Sequence, residues 1–225
     1  MTSEQRIVQS SEVTVQAGEV TLDGNLMVPG GSQGIVVFAH GSGSSRFSSR
    51  NRYVAGVLNS GGLATLLFDL LTAEEHVIDV QTRELRFDID LLSRRMVATL
   101  DWLGGETAVN QLPIGLFGAS TGAAAALNAA AERPDRVAAV VSRGGRPDLA
   151  MAALPKVQSP TLLIVGGLDF QVIGMNRAAE AALKAPCHVE IVESATHLFE
   201  EPGTLEQVAA LARDWFLKHL RGPVQ

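Results

Sequence analysis

The chain has 225 residues, a net charge of −6, 46% hydrophobic and 19% charged side chains, a globular composition long enough for one sizeable α/β domain spanning 1–225. No apolar run reaches the ~18 residues that cross a bilayer, residues 1–6 lack the basic-then-apolar layout of a secretory leader, and the single cysteine, Cys187, excludes an internal disulfide. A soluble, cytoplasmic protein is expected, and an acidic balance without a basic block argues against nucleic acid or an anionic membrane as partner.

Residues 12–28 alternate around Gly18 and Gly24, through Val13, Val15, Val20, Leu22, Leu26 and Val28, as two half-exposed antiparallel strands do. From Ile35 the texture changes to short apolar runs, at 35–39, 64–68, 112–117, 137–141, 161–165 and 189–192. Such runs read as strands buried on both faces of a parallel sheet. Between them, Leu85, Ile89, Leu92, Met96, Leu100 and Leu103 recur at steps of three and four, which predicts one helix with a single apolar face. Thr204 and Gln207 have capping-box spacing before a last helix with Leu205, Val208, Ala212, Trp215, Phe216 and Leu220. This alternation predicts a mostly parallel, doubly wound α/β sheet of about eight strands with an antiparallel N-terminal edge. Its ligand site should lie at the strands' carboxyl ends. Only residues 143–160 separate two of the strands at that edge, too few for a full cap.

The chain is organised around residues 112–126. An apolar strand ends in Gly118-Ala119-Ser120-Thr121-Gly122 and passes at once into an alanine-rich helical segment. A serine at the apex of so sharp a turn sits in strained backbone, so its neighbours must be small, and Gly118, Ala119, Gly122 and Ala123 are. The turn aims the helix's first N–H groups at whatever the serine hydroxyl attacks. No lysine follows Gly122, so the phosphate-binding P-loop pattern is absent.

Partners stand at the other strand ends. The first buried strand leads into His40-Gly41-Ser42-Gly43, a loop of small residues able to offer a backbone donor. With Asp69, 28 residues beyond Gly41, this loop also resembles a dinucleotide fingerprint, but the third glycine position is Arg46 and the spacing exceeds the usual ~20. Residues 161–165 run into Gly166-Gly167-Leu168-Asp169, and 189–192 into Glu193-Ser194-Ala195-Thr196-His197. Taken singly, the aspartate is a turn former and the histidine a solvated loop residue. Serine, acid and histidine in that order at strand ends point instead to a nucleophile elbow completed by its partners.

On these residues the chain resembles the α/β-hydrolases, and within them the dienelactone-hydrolase-related group, from the His40-Gly41 loop to the last helix. The resemblance implies a serine-type hydrolase acting on small esters, lactones or thioesters. It departs at one position: the founding dienelactone hydrolases carry cysteine as nucleophile, where this chain has Ser120. In the implied mechanism His197 takes the Ser120 proton and Asp169 orients the imidazole, while the Thr121 and Ser42 N–H groups hold the oxyanion. Asp148 is the alternative acid. The five histidines show no ligand spacing, so neither a metal nor a cofactor is expected. Arg143 and Arg46 fall near the proposed site and are candidate clamps for an anionic substrate, against the alternative that they pair with carboxylates such as Asp148 or Glu74. The expected partner is a small-molecule ester, and a homodimer is compatible with the chain. Two other readings use the same residues, a catalytically silent binding protein and a dinucleotide-binding oxidoreductase.

Overall fold

The computed structural model describes residues 8–220; residues 1–6, read above for a leader, lie outside them. Eight strands form one sheet: β1 (Val8–Ala17), β2 (Val20–Pro29), β3 (Ile35–Ala39), β4 (Ala64–Phe68), β5 (Ile114–Ala119), β6 (Val137–Arg143), β7 (Thr161–Gly166) and β8 (Cys187–Val192). Their order is β1-β2-β4-β3-β5-β6-β7-β8. β1 pairs antiparallel with β2, and β2 antiparallel with β4; every later pairing is parallel. The alternating segment is therefore the antiparallel edge, and the continuous apolar runs are the interior strands, with β3, β4, β5 and β7 buried at every residue.

Six helices complete the layers: α1 (Ser49–Ser60), α2 (Ala73–Thr82), α3 (Ile89–Leu103), α4 (Thr121–Glu132), α5 (Phe170–Ala182) and α6 (Thr204–His219). One core forms where Leu92, Met96 and Leu100 of α3 and the alanines of α4 meet the sheet. On the opposite face α1 and α6 pack Val54, Leu58, Val208 and Phe216 over Val36, Phe38, Phe117 and Val141. α4 lies close under the sheet because Ala123 to Ala126 carry only methyl groups, all fully buried. Residues 143–160 hold two single 3₁₀ turns, Pro147–Ala150 and Leu154–Lys156, and no cap. No helix among the described residues is long and apolar enough to cross a membrane.

Two helix starts differ from the sequence reading. The periodic segment from Leu85 is a 3₁₀ turn, Leu85–Phe87, followed by α3, because the Asp88 side chain accepts the Leu91 N–H and caps a new helix. The Thr204–Gln207 capping box does not form. Gly203 is the cap residue of α6, Thr204 donates its hydroxyl to Glu201 O at 2.7 Å, and Gln207 N–H bonds Gly203 O. A reciprocal capping box instead opens α2, between Thr72 and Glu75.

Candidate active site

Ser120 joins β5 to α4 with φ 51° and ψ −123°, a backbone region that costs an L-residue about 1–3 kcal/mol and survives only where the surroundings enforce it. They do. Ser120 N–H bonds Arg143 O at 3.3 Å, and Ser120 O accepts both Ala123 N–H and Arg146 N–H at 3.1 Å. Glycines flank the turn because nothing larger fits: a Cβ at Gly118 would lie 2.4 Å from Ala123 Cα, and one at Gly122 2.3 Å from Ala39 O. The strained serine is thus pinned by β6 on one side and pressed against the end of β3 on the other.

The acid and the histidine arrive on the neighbouring strands. After β7, Asp169 N–H bonds Gly166 O at 3.0 Å and Leu168 N–H bonds Ala195 O at 2.9 Å, which ties the β7 turn to the β8 loop. That loop is braced in turn by Glu201, which accepts from Thr196 Oγ1 at 2.6 Å and from its N–H at 3.1 Å. His197 Nδ1 lies 2.7 Å from Asp169 Oδ2. An ionised carboxylate only accepts, so Nδ1 carries a proton, and in the neutral imidazole this leaves the lone pair on Nε2. The Asp169 side chain is 16% exposed and that of His197 39%, so the acid is sheltered and the imidazole open to a substrate. Gly144, next after the residue that holds Ser120 N–H, sits against the ring: a Cβ there would be 3.5 Å from His197 Nδ1 and Cε1. Among the described residues Ser120 Oγ has no protein hydrogen-bond partner, a common resting state for a contact that tightens on the substrate.

The candidate donors sit on either side of the serine in the chain's packing: Thr121 follows it, and the Ser42 loop lies beside it, since a Cβ at Gly41 would be 3.2 Å from Ser120 Cβ. Neither Ser42 N–H nor Thr121 N–H has a backbone or side-chain acceptor among the described residues. The loop that carries Ser42 is locked by His40, whose Nδ1 bonds Gly41 O at 3.0 Å while Nε2 accepts Leu70 N–H at 3.1 Å. Burial pushes the His40 pKa below its ordinary value, in keeping with a ring that must stay neutral to accept that bond. Ser42 and Thr121 also line a cavity of ≈ 450 Å³ that opens towards α2, walled by Asp69, His76 and Arg86. Ser120, Asp169 and His197 are not among its walls, so the cavity adjoins the candidate donors Ser42 and Thr121 and not the serine, aspartate and histidine themselves. Sequence reasoning named Asp69 but did not bring His76 and Arg86 to it, because α2 has no apolar periodicity to announce it.

The candidate clamps have different fates. Arg46 is held structurally: its Nη1 is ion-paired with Asp69, its Nη2 lies 3.6 Å from Asp23, and its N–H bonds Asp69 Oδ1 at 2.7 Å. That pairing also accounts for Asp69, the acid of the dinucleotide alternative. Asp148 is taken by Arg146 through two bonds of 2.8 and 2.7 Å, which accounts for the alternative acid. Arg143 is 8% exposed and has no carboxylate partner among the described residues. Cys187, at the start of β8, is half-buried, and burial pushes its thiol up to about 12, which keeps it unreactive.

Residues 22–220 match the family described as the dienelactone hydrolase family. The chain belongs to that family. A crystal structure of a dienelactone hydrolase from Anabaena variabilis is 60% identical, with a TM-score of 0.94 over 95% of this chain and 99% of its own. A Pyrococcus furiosus esterase, 17% identical with a TM-score of 0.75, shares the fold. Two Mycobacterium tuberculosis proteins, both named as phosphoribosyl transferases, are 57% identical over 216 residues. That match takes in 96% of this chain and 48% of theirs, so the chain spans about half the length of those relatives.

Proposed function

We propose that the protein is a serine hydrolase of small carboxylic esters, lactones or thioesters that works through an acyl-enzyme. Neutral serine is a weak nucleophile, so His197 Nε2 takes the Ser120 proton as Oγ attacks the carbonyl carbon. The Thr121 and Ser42 N–H groups receive the negative charge that develops on the carbonyl oxygen. As the tetrahedral adduct collapses, the alcohol leaves with the proton from His197. Water then attacks the acyl-serine by the same route and releases the acid. Asp169 stays ionised throughout, fixing the tautomer and stabilising the transient imidazolium.

The observation that carries this reading is the strained Ser120 at the mouth of α4, with the 2.7 Å His197–Asp169 pair delivered to the same strand ends. The shallow edge without a cap, and a cavity of ≈ 450 Å³, favour short acyl chains. We assign the transferase name of the mycobacterial relatives to the portion of their chains that this one does not span. The test is hydrolysis of p-nitrophenyl acetate and butyrate by the wild type and Ser120→Ala. The reading requires turnover that the substitution abolishes, and it fails if Ser120→Ala retains full activity.

A further inference from the structure

The cavity of ≈ 450 Å³ that adjoins Ser42 and Thr121 has the volume of a small-ligand pocket, but most of the residues around it are polar, where such pockets are mostly apolar. Four carboxylates stand in its walls, on Asp23, Asp69, Glu74 and Asp79, against the guanidiniums of Arg46 and Arg86. Even with His76 protonated the wall is net negative, so an anionic group is disfavoured there. Both guanidiniums are also matched already, Arg46 by Asp69 and Arg86 by Asp79 at 2.7 Å. What remains is hydrogen-bonding capacity. The side chains of Thr21, Ser44 and His76 have no hydrogen-bond partner among the described residues. Arg86 Nη1 stands beside Gly43, 3.0 Å from where a Cβ would lie, with no acceptor among the described residues. A carboxylate engaged by one cation keeps further lone pairs to accept with. An aromatic ring joins these groups: Phe47, 58% exposed, lines the cavity with the Arg46 guanidinium over its ring at 4.3 Å.

We propose that this cavity receives a neutral, polyhydroxylated ring, so that the substrates are acylated sugars or sugar lactones. This rests on the serine-hydrolase reading of the adjoining residues. Each sugar hydroxyl donates one hydrogen bond and accepts two, which suits a wall where His76 and the carboxylates accept beside serine hydroxyls and guanidinium N–H groups that donate. The C–H face of the sugar has Phe47 as its apolar surface. An alkyl ring of the same size would displace water from these groups and leave them unpaired, at a cost for each one. Ser42 and Thr121 belong to the same walls, so a ring held there puts its ester beside the candidate oxyanion donors. The hydroxylated part is the alcohol in an acylated sugar and the acid in a sugar lactone, and the cavity recognises both by the same chemistry.

Two matched pairs of substrates test this, with the released acid titrated: the butyryl esters of methyl xyloside and of cyclohexanol, and galactonolactone against an alkyl-substituted lactone of equal size. In at least one pair the hydroxylated member should have the higher kcat/KM, by about tenfold or more. The pair with the larger preference shows whether the sugar is the alcohol or the acid. His76→Ala and Ser44→Ala should each reduce that preference about 2- to 10-fold, the range of one neutral hydrogen bond. Neither side chain is buried, so both variants should fold. A second readout needs no turnover. In Ser120→Ala, saturation-transfer NMR should show methyl xyloside binding more tightly than cyclohexanol, and His76→Ala/Ser44→Ala added to that protein should weaken the xyloside signal. If no ester or lactone is cleaved, the hydrolase reading fails while the NMR comparison still reports on the cavity. The sugar site itself is overturned by equal kcat/KM within both pairs, by a preference that survives both substitutions unchanged, or by cyclohexanol binding to Ser120→Ala as tightly as the xyloside.

Discussion

Gly122→Ala adds one methyl group where the elbow has no room for it. The new Cβ would lie 2.3 Å from Ala39 O and 2.5 Å from His40 O, against ordinary contact at 3.4 Å or more, so α4 and the end of β3 must separate by about 1 Å. Both obstacles are backbone carbonyls and cannot rotate away. Overpacking of this kind costs about 1–3 kcal/mol or more, which for a chain of this size corresponds to a Tm lower by roughly 2–12 °C. The same shift separates Thr121 N–H from the Ser42 loop, and a misplacement of about 1 Å can cost on the order of 10² in kcat/KM. Gly174→Ala is the control: it is exposed on α5 with nothing within 4 Å of its would-be Cβ. Alanine there should stabilise by about 0.5–1 kcal/mol through helix propensity. Differential scanning fluorimetry and p-nitrophenyl butyrate kinetics on the two variants make the comparison. A Gly122→Ala protein with wild-type Tm and turnover would refute the close approach, and with it the argument that small residues at the elbow are steric necessities.

His40 resists protonation in the folded state, chiefly because it is buried, so below its ordinary pKa of 6.5 the unfolded chain binds a proton that the folded chain refuses. Stability is therefore whole above about pH 6.5 and falls as pH drops below it, at up to ~1.4 kcal/mol per pH unit from this group. His40→Gln should flatten the urea-derived stability curve between pH 7 and 5, and parallel curves for the two proteins would show that His40 does not contribute. Asp169→Asn should lower kcat by about 10³–10⁴ by spoiling the imidazole tautomer, whereas Asp148→Asn should cost under tenfold. A reversal would transfer the acid's role to the β6 loop. Thr72→Ala removes the capping box of α2 and should cost about 1 kcal/mol, seen as a small drop in Tm; no change would mean that α2 frays independently of the fold.

Strands β3 and β4 were legible to the residue because their runs are apolar on both faces and end in polar or glycine residues. β6 and β7 run one or two residues past the apolar runs, into Arg143 and Gly166, and β5 begins two residues inside its run, at Ile114, and ends two past it, at Ala119, since pairing with neighbours and not hydropathy sets the ends. Ser120, Asp169 and His197 stood out as candidates in the sequence for another reason. The chemistry constrains residue type, and the topology constrains which strand ends can meet. α2 was not legible at all. Its only buried residue is Asp79, held by Arg86, while Val77, Ile78 and Val80 face outward, so its hydropathy runs against the pattern by which helices are read. The Thr204 box failed because the same Thr-x-x-Gln spacing also fits a helix that starts one residue earlier on Gly203. Nor could sequence sort the arginines. Arg46 and Arg143 look alike in the chain, and only the fold brings Asp23 and Asp69 to the first and, among the described residues, no carboxylate to the second.

Covalent labelling tests the nucleophile most directly. A fluorophosphonate adds irreversibly to a serine only when an adjacent base and oxyanion donors activate it, so intact-mass spectrometry after brief exposure should show one adduct per chain. Peptide mapping should place it on Ser120, with labelling lost in Ser120→Ala and sharply slowed in His197→Ala. An adduct on another residue, or ester turnover that survives in a protein whose Ser120 never labels, would contradict the account.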